Sequence, residues 1–309
     1  MVRSALKSLV RLTGYQVRRV RPRRNLVWAR YGPYEIRMID SGGHGQHAGT
    51  DEWDEVLNAQ FRDLVALAVR KYGDVAAIDV GANFGDTAAI AKLGGDVAVL
   101  CIEGDPTVFR VLEQNVARLP GVSARLALLG EREECVPVVT TKRGWNMTVI
   151  PDGGKTGGSD SATSATFTTL DACVRDLPNA DTYRVLKVDA EGYDCRILRG
   201  GMRYIAHVRP LITFEYNRAN MDAIGEAGVD TLWRLRDAGY RDFVYLDPNG
   251  RMLLATTLAD EAVVRDLHEY ADGRSDRLEY VDVCVFHADD ADLAAEFIRG
   301  ARARRRGAE

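Results

Sequence analysis

From residue 75 onward, short apolar segments alternate with helical segments, and this alternation constrains the fold more than any other feature of the chain. The apolar segments predict strands at 75–80, 97–102, 123–129, 184–189, 211–216, 242–246 and 280–287. Helical stretches are predicted at 85–93, 106–118, 194–206, 228–239 and 260–270. Such alternation predicts a doubly wound α/β sheet that is mostly parallel. Because the last strand follows a long polar connection, we expect it to pair antiparallel at the end of the sheet.

The residues before this alternation predict an extension of the sheet domain. Residues 1–30 carry nine Lys or Arg and no Asp or Glu, and their first apolar residues recur near helical spacing, which predicts a short basic amphipathic helix. Residues 26–39 predict a β-hairpin around Gly32-Pro33, and residues 52–71 predict a helix with one apolar stripe. The predicted divisions are an N-terminal helix, hairpin and leading helix (1–72), an α/β domain (73–290) and an Arg-rich C-terminal tail (291–309).

Charge and cysteine usage exclude several classes of protein. The 309 residues have a formal net charge of −4, and because both ends are basic, the body between them is acidic. An acidic body argues against a nucleic-acid-binding protein. No apolar run approaches the ~20 residues of a membrane-spanning helix. Five scattered cysteines without a C-x-x-C pair favour reduced thiols in a cytoplasmic protein. The basic N-terminus leaves contact with an anionic membrane surface as an alternative, and the sequence does not determine the oligomeric state.

The strongest motif is an apolar strand, a Gly-containing turn and the start of a helix. It reads Ala76-Ala77-Ile78-Asp79-Val80-Gly81-Ala82-Asn83-Phe84-Gly85-Asp86-Thr87. A second apolar strand ends in Glu103, 22 residues after Gly81. A glycine turn followed by an acid about 20 residues later is the layout of a nucleotide-cofactor site in a Rossmann-like sheet. In that layout the carboxylate accepts hydrogen bonds from the ribose hydroxyls.

The turn also discriminates between cofactors. The dinucleotide fingerprint G-x-G-x-x-G is absent, because Asn83 stands in the position of the middle glycine. Asp79, two residues before the first glycine, is unfavourable beside a pyrophosphate but suits a cationic ligand or an amino group. S-adenosylmethionine has a sulfonium, an amino-acid end and no phosphate, so the motif favours it over a nicotinamide dinucleotide. A nicotinamide oxidoreductase remains an alternative.

Further segments carry a resemblance to a known family. They are Ile102–Pro106 with Leu112 and Asn115, Thr168–Asp171, Leu186–Tyr193 with Leu198, Gly200 and Gly201, and Arg209–Glu215. With the D-V-G-A-N motif at Asp79–Asn83, these blocks make residues 75–217 similar to the FkbM family of S-adenosylmethionine-dependent methyltransferases. Gly104 departs from the family pattern, which usually has proline there.

The resemblance implies a fold, an activity and a set of binding residues. The implied fold is the class I methyltransferase fold, a Rossmann-like sheet of about seven strands whose last strand is antiparallel. The implied activity is methyl transfer to a hydroxyl of a sugar, a glycosylated compound or another secondary metabolite. The implied cofactor-binding residues are Asp79, Gly81, Asn83, Gly85, Thr87, Glu103, Gly104, Asp105, Leu126 and Ala127. N-methylation of a small amine and a cofactor-binding protein without activity are the alternatives.

A hydroxyl is a poor nucleophile, so its methylation gains from a general base near the cofactor. The candidates, in order, are Asp189, Glu191 and His47. Lys187 shares the strand face of Asp189 and needs a partner in an apolar strand, Asp189 or Glu215, so a buried ion pair is the alternative role for these residues. Asp189, Glu191 and Glu215 could offer oxygen ligands to Mg²⁺, but their spacing is not a metal motif and we assign no metal ligand.

Overall fold

The computed structural model of the protein describes residues 26–39, 59–143, 146–151, 163–271, 278 and 280–307. The strands are β1 (Leu26–Tyr31), β2 (Tyr34–Ile39), β3 (Ala76–Val80), β4 (Ala98–Glu103), β5 (Val122–Leu126), β6 (Leu128–Gly130), β7 (Glu134–Arg143), β8 (Asn146–Pro151), β9 (Thr163–Thr169), β10 (Tyr183–Val188), β11 (Leu211–Tyr216), β12 (Tyr240–Leu246), β13 (Met252–Thr257) and β14 (Val281–His287). The helices are α1 (Ala59–Tyr72), α2 (Asp86–Gly94), α3 (Pro106–Val116), α4 (Leu170–Arg175), α5 (Asp194–Arg199), α6 (Met202–Val208), α7 (Arg218–Ala223), α8 (Val229–Asp237), α9 (Glu261–Tyr270) and α10 (Ala291–Gly307). Of the helices in this description, none combines the length and the apolar character that crossing a bilayer requires.

The main sheet has eight strands in the order β13-β12-β14-β11-β10-β3-β4-β5. The five strands from β11 to β5 are parallel, which confirms the predicted doubly wound class I methyltransferase fold. The last strand, β14, is antiparallel as expected, but it lies between β11 and β12 instead of at the end of the sheet. Six of its seven residues are buried, which is the pattern of an interior strand. β13, which the sequence analysis did not identify, adds an edge strand beside β12.

A second sheet of four strands, in the order β6-β9-β7-β8, is inserted between β5 and β10. It corrects the single strand predicted at 123–129, because the chain changes sheets at Ala127, and β5 and β6 belong to different sheets. The apolar run has no turn residue to mark this change. The helix predicted at 194–206 is likewise two helices, which meet at Gly200 and Gly201. A Cβ at Gly200 would lie 2.2 Å from the Gly130 carbonyl oxygen, so the break allows α5 to approach the second sheet.

The two ends of the chain differ in how far they match the sequence analysis. The hairpin of β1 and β2 is confirmed, with Leu26 opposite Ile39. The basic N-terminal helix and residues 52–58 lie outside the described residues. The predicted C-terminal tail is a helix over most of its length, because α10 has an apolar stripe that includes Leu293 and Phe297 and packs against the sheet domain. An ion pair of 2.5 Å between Arg70 and Glu296 joins α10 to α1.

Candidate active site

A cavity of about 270 Å³ lies beyond the carboxyl ends of β3, β4, β5 and β10. Parallel strands place their carboxyl ends at one edge of a sheet, where ligands bind in open α/β folds. Nine of the thirteen residues predicted to bind the cofactor or act as the base line this cavity, namely Gly81, Asn83, Thr87, Glu103, Gly104, Asp105, Ala127, Asp189 and Glu191. Three predicted cofactor-binding residues, Asp79, Gly85 and Leu126, are not among the lining residues. His47 lies outside the described residues.

The glycine turn after β3 is pressed against the end of β10. Gly81 has a φ of 74°, and a Cβ at this position would lie 1.7 Å from the carbonyl oxygen of Asp189. The Asp189 N–H donates to the Val80 carbonyl oxygen at 3.0 Å, which joins the two strand ends. Only glycine accommodates both the positive φ and this backbone contact. Because Gly81 has no side chain, the predicted cofactor turn can lie directly against the backbone of Asp189, the predicted base. Both therefore line the same cavity.

Backbone N–H groups fix the carboxylate of Glu103. The N–H of Asn83 donates to Oε2 at 3.0 Å, and the N–H of Asp105 donates to Oε1 at 2.7 Å. Burial raises the pKa of Glu103, and these N–H donors oppose that shift. A carboxylate has about four acceptor positions, so two oxygens in a fixed orientation can still accept from two hydroxyls of a ligand. Asp105 itself caps α3 by accepting from the Thr107 N–H at 2.7 Å.

Lys187 forms ion pairs with two carboxylates, Asp79 behind the cavity and Asp189 in its lining. Its Nζ lies 3.4 Å from Oδ1 of Asp79 and 3.2 Å from Oδ2 of Asp189. Asp79 is 0% exposed and also accepts a hydrogen bond from the Thr87 hydroxyl, whereas the Asp189 side chain is 46% exposed. Burial acts to lower the pKa of Lys187, but the charges of Asp189 and Asp79 outweigh it and raise that pKa. Thr87 and Lys187 line the cavity while Asp79 does not, so the Asp79 carboxylate supports the site from behind.

The loop after β10 is shaped by a carboxylate that the sequence analysis did not single out. Asp194 is buried and accepts hydrogen bonds from the N–H groups of Ala190 and Gly192, each at 3.2 Å. Burial, reinforced by the charge of Asp189, raises the pKa of Asp194 to about 7. Glu191 adopts a φ of 49°, and its Oε2 accepts from the Asn220 side chain at 3.0 Å. The sequence signal for Asp194 was its place in the first turn of a helix directly after the acidic loop.

The three carboxylates considered for Mg²⁺ do not form a recognisable metal centre. Within the described ranges, no group of three or more His, Cys, Asp or Glu side chains is arranged to hold a metal ion. Glu215 lies near the end of β11. Burial, together with the nearby charge of Asp189, raises the pKa of Glu215 well above the ordinary value. The assignment of no metal ligand in the sequence analysis stays a prediction.

An apolar wall closes the other side of the cavity, and the sequence analysis did not predict it. Leu129, Val149 and Phe167 come from the second sheet, whereas Tyr193 and Ile197 come from the loop after β10 and from α5. The rings of Phe167 and Tyr193 are stacked, with centroids 5.2 Å apart and an angle of 15° between the planes. Burial raises the pKa of Tyr193 to about 12, so its phenol stays neutral at physiological pH. The cavity thus has a polar side from the main sheet and an apolar side from the second sheet.

Comparisons with known proteins give one family match and several similar solved structures. Residues 79–241 match the model of the methyltransferase FkbM domain. Among solved structures, the methyltransferase FkbM from Methylobacillus flagellatus KT has 16% identity and a TM-score of 0.40, over 75% of this chain and 49% of that chain. TYW2 from M. jannaschii in complex with AdoMet has 10% identity and a TM-score of 0.41, over 87% of this chain and 89% of that chain. Precorrin-6y C5,15-methyltransferase from Geobacter metallireducens GS-15 has 11% identity and a TM-score of 0.35, over 72% and 86%.

The chain spans about half the length of the Methylobacillus protein. A search among curated proteins found no match. The assignment therefore rests on the family match, which covers more than half of the chain and includes β3, β4, β5 and β10, whose ends form the cavity. The chain belongs to the FkbM family of S-adenosylmethionine-dependent methyltransferases.

Proposed function

We propose that the protein is an O-methyltransferase that transfers a methyl group from S-adenosylmethionine to a hydroxyl of a sugar, a glycosylated compound or another secondary metabolite. One observation carries the proposal. A single cavity holds an oriented carboxylate, Glu103, on its polar side and a half-exposed carboxylate, Asp189, at the end of the neighbouring strand. The first suits a ribose diol, and the second suits the proton of an acceptor hydroxyl.

The residues of the polar side fit S-adenosylmethionine. Gly81 leaves open backbone where a Cβ would strike the Asp189 carbonyl oxygen, and the Asn83 side-chain oxygen is buried without a protein hydrogen-bond partner in the described structure. Glu103 would hold the ribose hydroxyls, the turn from Gly81 to Asn83 would hold the amino-acid end, and Ala127 would contact the adenine. When bound, the cofactor supplies an electrophilic methyl group.

The protein's own residues would prepare the acceptor. Lys187 holds Oδ2 of Asp189 at 3.2 Å, which leaves Oδ1 for the proton of the acceptor hydroxyl. Asp194 fixes the backbone of the loop that follows Asp189, so the base has a defined position relative to the cofactor turn. Alignment of this kind, together with removal of the hydroxyl proton, supports methylation of an oxygen nucleophile.

The proposal is tested by incubating the full chain with S-adenosylmethionine labelled on its methyl group and a panel of sugars, glycosides, phenols and amines. We expect the label on a hydroxyl oxygen of a glycosylated or related compound, identified by mass spectrometry of the product. Label on amines alone would contradict O-methylation and favour the N-methyltransferase alternative. Absence of transfer to every member, from a folded chain that binds S-adenosylhomocysteine, would favour a cofactor-binding protein without activity.

A further inference from the structure

The outer face of the β1–β2 hairpin is apolar and basic at once. Side chains alternate along a strand, so Leu26, Trp28 and Arg30 lie on one face of β1 and are exposed, whereas Ala29 and Tyr31 are buried on the other face. Trp28 is 52% exposed and Leu26 is 42% exposed, so two large apolar side chains of one face are in contact with solvent. This exposed face is named the hairpin face below.

Two arginines bracket the exposed indole. The guanidinium carbons of Arg37 and Arg118 lie 5.5 Å and 4.6 Å from the centroid of the Trp28 ring. Arg37 donates to the uncharged side chain of Gln114 at 3.3 Å, and Arg118 lies 3.8 Å from Glu35. In the described part of the chain, the ion pairs of this face join one carboxylate, Glu35, to two arginines, Arg30 and Arg118, while Arg37 has no carboxylate partner. The hairpin face is therefore positively charged around an exposed tryptophan.

A second Trp–Arg cluster in the same molecule shows that this excess of charge is not a general property of such clusters. Trp233 is also contacted by two arginines, with Arg236 at 5.2 Å and Arg265 at 5.1 Å from the ring centroid. These arginines form ion pairs with two carboxylates, Asp237 and Glu261. The charges at Trp233 are balanced, whereas those at Trp28 are not.

The chain that leads into the hairpin adds charge of the same sign. Residues 1–25 contain eight Lys or Arg and no Asp or Glu. We propose that the hairpin face docks on the surface of an anionic phospholipid bilayer. Tryptophan prefers the interfacial region of a bilayer, and arginines pair with lipid phosphates there. Nucleic acids are bound mainly through clustered cations, and the body of this protein is acidic. The exposed leucine and tryptophan side chains therefore favour a lipid surface as the partner.

The hairpin is joined to the cofactor turn by one buried amide. Asn115 accepts from the Arg37 N–H at 3.0 Å, and its Nδ2 donates to the Arg37 carbonyl oxygen at 2.9 Å and to the Phe84 carbonyl oxygen at 2.7 Å. Phe84 belongs to the turn between Gly81 and Gly85. A docked hairpin face would therefore hold the candidate site at a fixed distance from the bilayer. Substitution of the Arg37 side chain leaves these bonds intact, because they involve its backbone.

The test is co-sedimentation of the full chain with vesicles of phosphatidylglycerol and phosphatidylcholine, and with vesicles of phosphatidylcholine alone. We expect binding to the anionic vesicles only, weakened by salt. The pair R37Q/R118Q is expected to lower the partition coefficient about fivefold per arginine, because each basic side chain near such a surface contributes ~1 kcal/mol. W28A is expected to lower it as well, since the indole anchors in the interface.

The matched control is R236Q/R265Q, which removes two arginines from an indole and the same charge from the chain. Thermal unfolding of each variant first establishes that it is folded. Equal losses in the two pairs would overturn the proposal, because binding would then depend on net charge and not on the hairpin face. The proposal would also be overturned if the folded wild type did not bind anionic vesicles. If the wild type then bound duplex DNA, and R37Q/R118Q lost that binding, the hairpin face would be a nucleic-acid site instead.

Discussion

The two sides of the cavity are built in different ways. Much of the polar side comes from two short segments, 81–87 and 103–105, so Gly81, Asn83 and Glu103 could be identified from motif and spacing alone. The apolar side combines Val149, Phe167 and Tyr193 from separate elements, and no local pattern marks them. Main-chain hydrogen bonds and a backbone contact fix the polar side, whereas side-chain packing forms the apolar side. The difference teaches that the polar side is encoded locally, while the shape of the apolar side depends on tertiary packing.

Asp189→Asn separates chemistry from cofactor binding and should give the largest effect. We expect turnover to fall about 10³-fold, in the range for loss of a general base, because an amide does not accept the acceptor proton. Affinity for S-adenosylhomocysteine should change by less than about twofold, since the shape of the side chain is kept. Asp222→Asn, at a largely exposed carboxylate on α7, is the control. Unchanged turnover would remove Asp189 from the mechanism.

Asp194 accepts from two N–H groups of the loop that follows Asp189, and its titration should appear in the pH dependence of stability. A folded pKa of about 7, above the ordinary value of 3.8, means that its contribution is full below about pH 4 and is lost as the pH rises through 7. The wild type should therefore lose unfolding free energy over this range relative to Asp194→Asn, which has no carboxylate to ionise. Urea unfolding of both proteins at several pH values measures the difference. Parallel curves would contradict a raised pKa at this position.

Gly81→Ala tests whether the polar side depends on close backbone approach. The new Cβ would meet the Asp189 carbonyl oxygen at 1.7 Å, so the turn must shift, and we expect S-adenosylhomocysteine to bind about 10- to 100-fold more weakly. Gly73→Ala is the matched control, because Gly73 has a similar φ of 76° but nothing within 4 Å of the added Cβ. Similar losses of affinity in the two variants would show that backbone strain, and not the contact with Asp189, explains the effect.

Phe167→Leu and Tyr193→Phe should give smaller effects on the other side of the cavity. The first variant removes the ring stacking, and the second removes a hydroxyl that is buried without a hydrogen-bond partner in the described structure. For Phe167→Leu we expect KM for the methyl acceptor to change about threefold to tenfold, which corresponds to roughly 1 kcal/mol for a lost ring contact, with little change in cofactor affinity. Tyr193→Phe keeps its ring and should change KM by less. A larger effect on cofactor affinity than on acceptor KM would show that this wall binds the adenine.

The sequence predicts the parts of the fold that depend on local pattern. The parallel strands and the hairpin around Gly32-Pro33 follow from periodicity and turn residues, and they are confirmed. The interior position of β14 and the change of sheet at Ala127 are not local properties, because both depend on which strand offers a free edge. The helix break at Gly200 depends on a backbone contact with Gly130, which is distant in sequence.

In the candidate site, too, the residues of local motifs were predictable and the contacts between distant segments were not. The spacing from Gly81 to Glu103 was sufficient to place both at one cavity. The expectation that Lys187 needs a carboxylate partner follows from its apolar strand, but the strand pairing that brings Asp79 opposite it does not. Asp194 was missed because its role is to accept from backbone groups of a loop whose shape the sequence does not reveal.

Calorimetric titration of S-adenosylhomocysteine into the wild type, Glu103→Ala and the control Glu133→Ala tests the central claim most directly. Glu133 is an exposed carboxylate away from the cavity, so its removal should leave the affinity unchanged. Loss of charge-assisted hydrogen bonds at Glu103 should weaken binding by about 10- to 100-fold, from ~1.5–3 kcal/mol for hydrogen bonds to a charged group. Absence of binding by the folded wild type, or equal binding by wild type and Glu103→Ala, would contradict the assignment of this cavity to the cofactor.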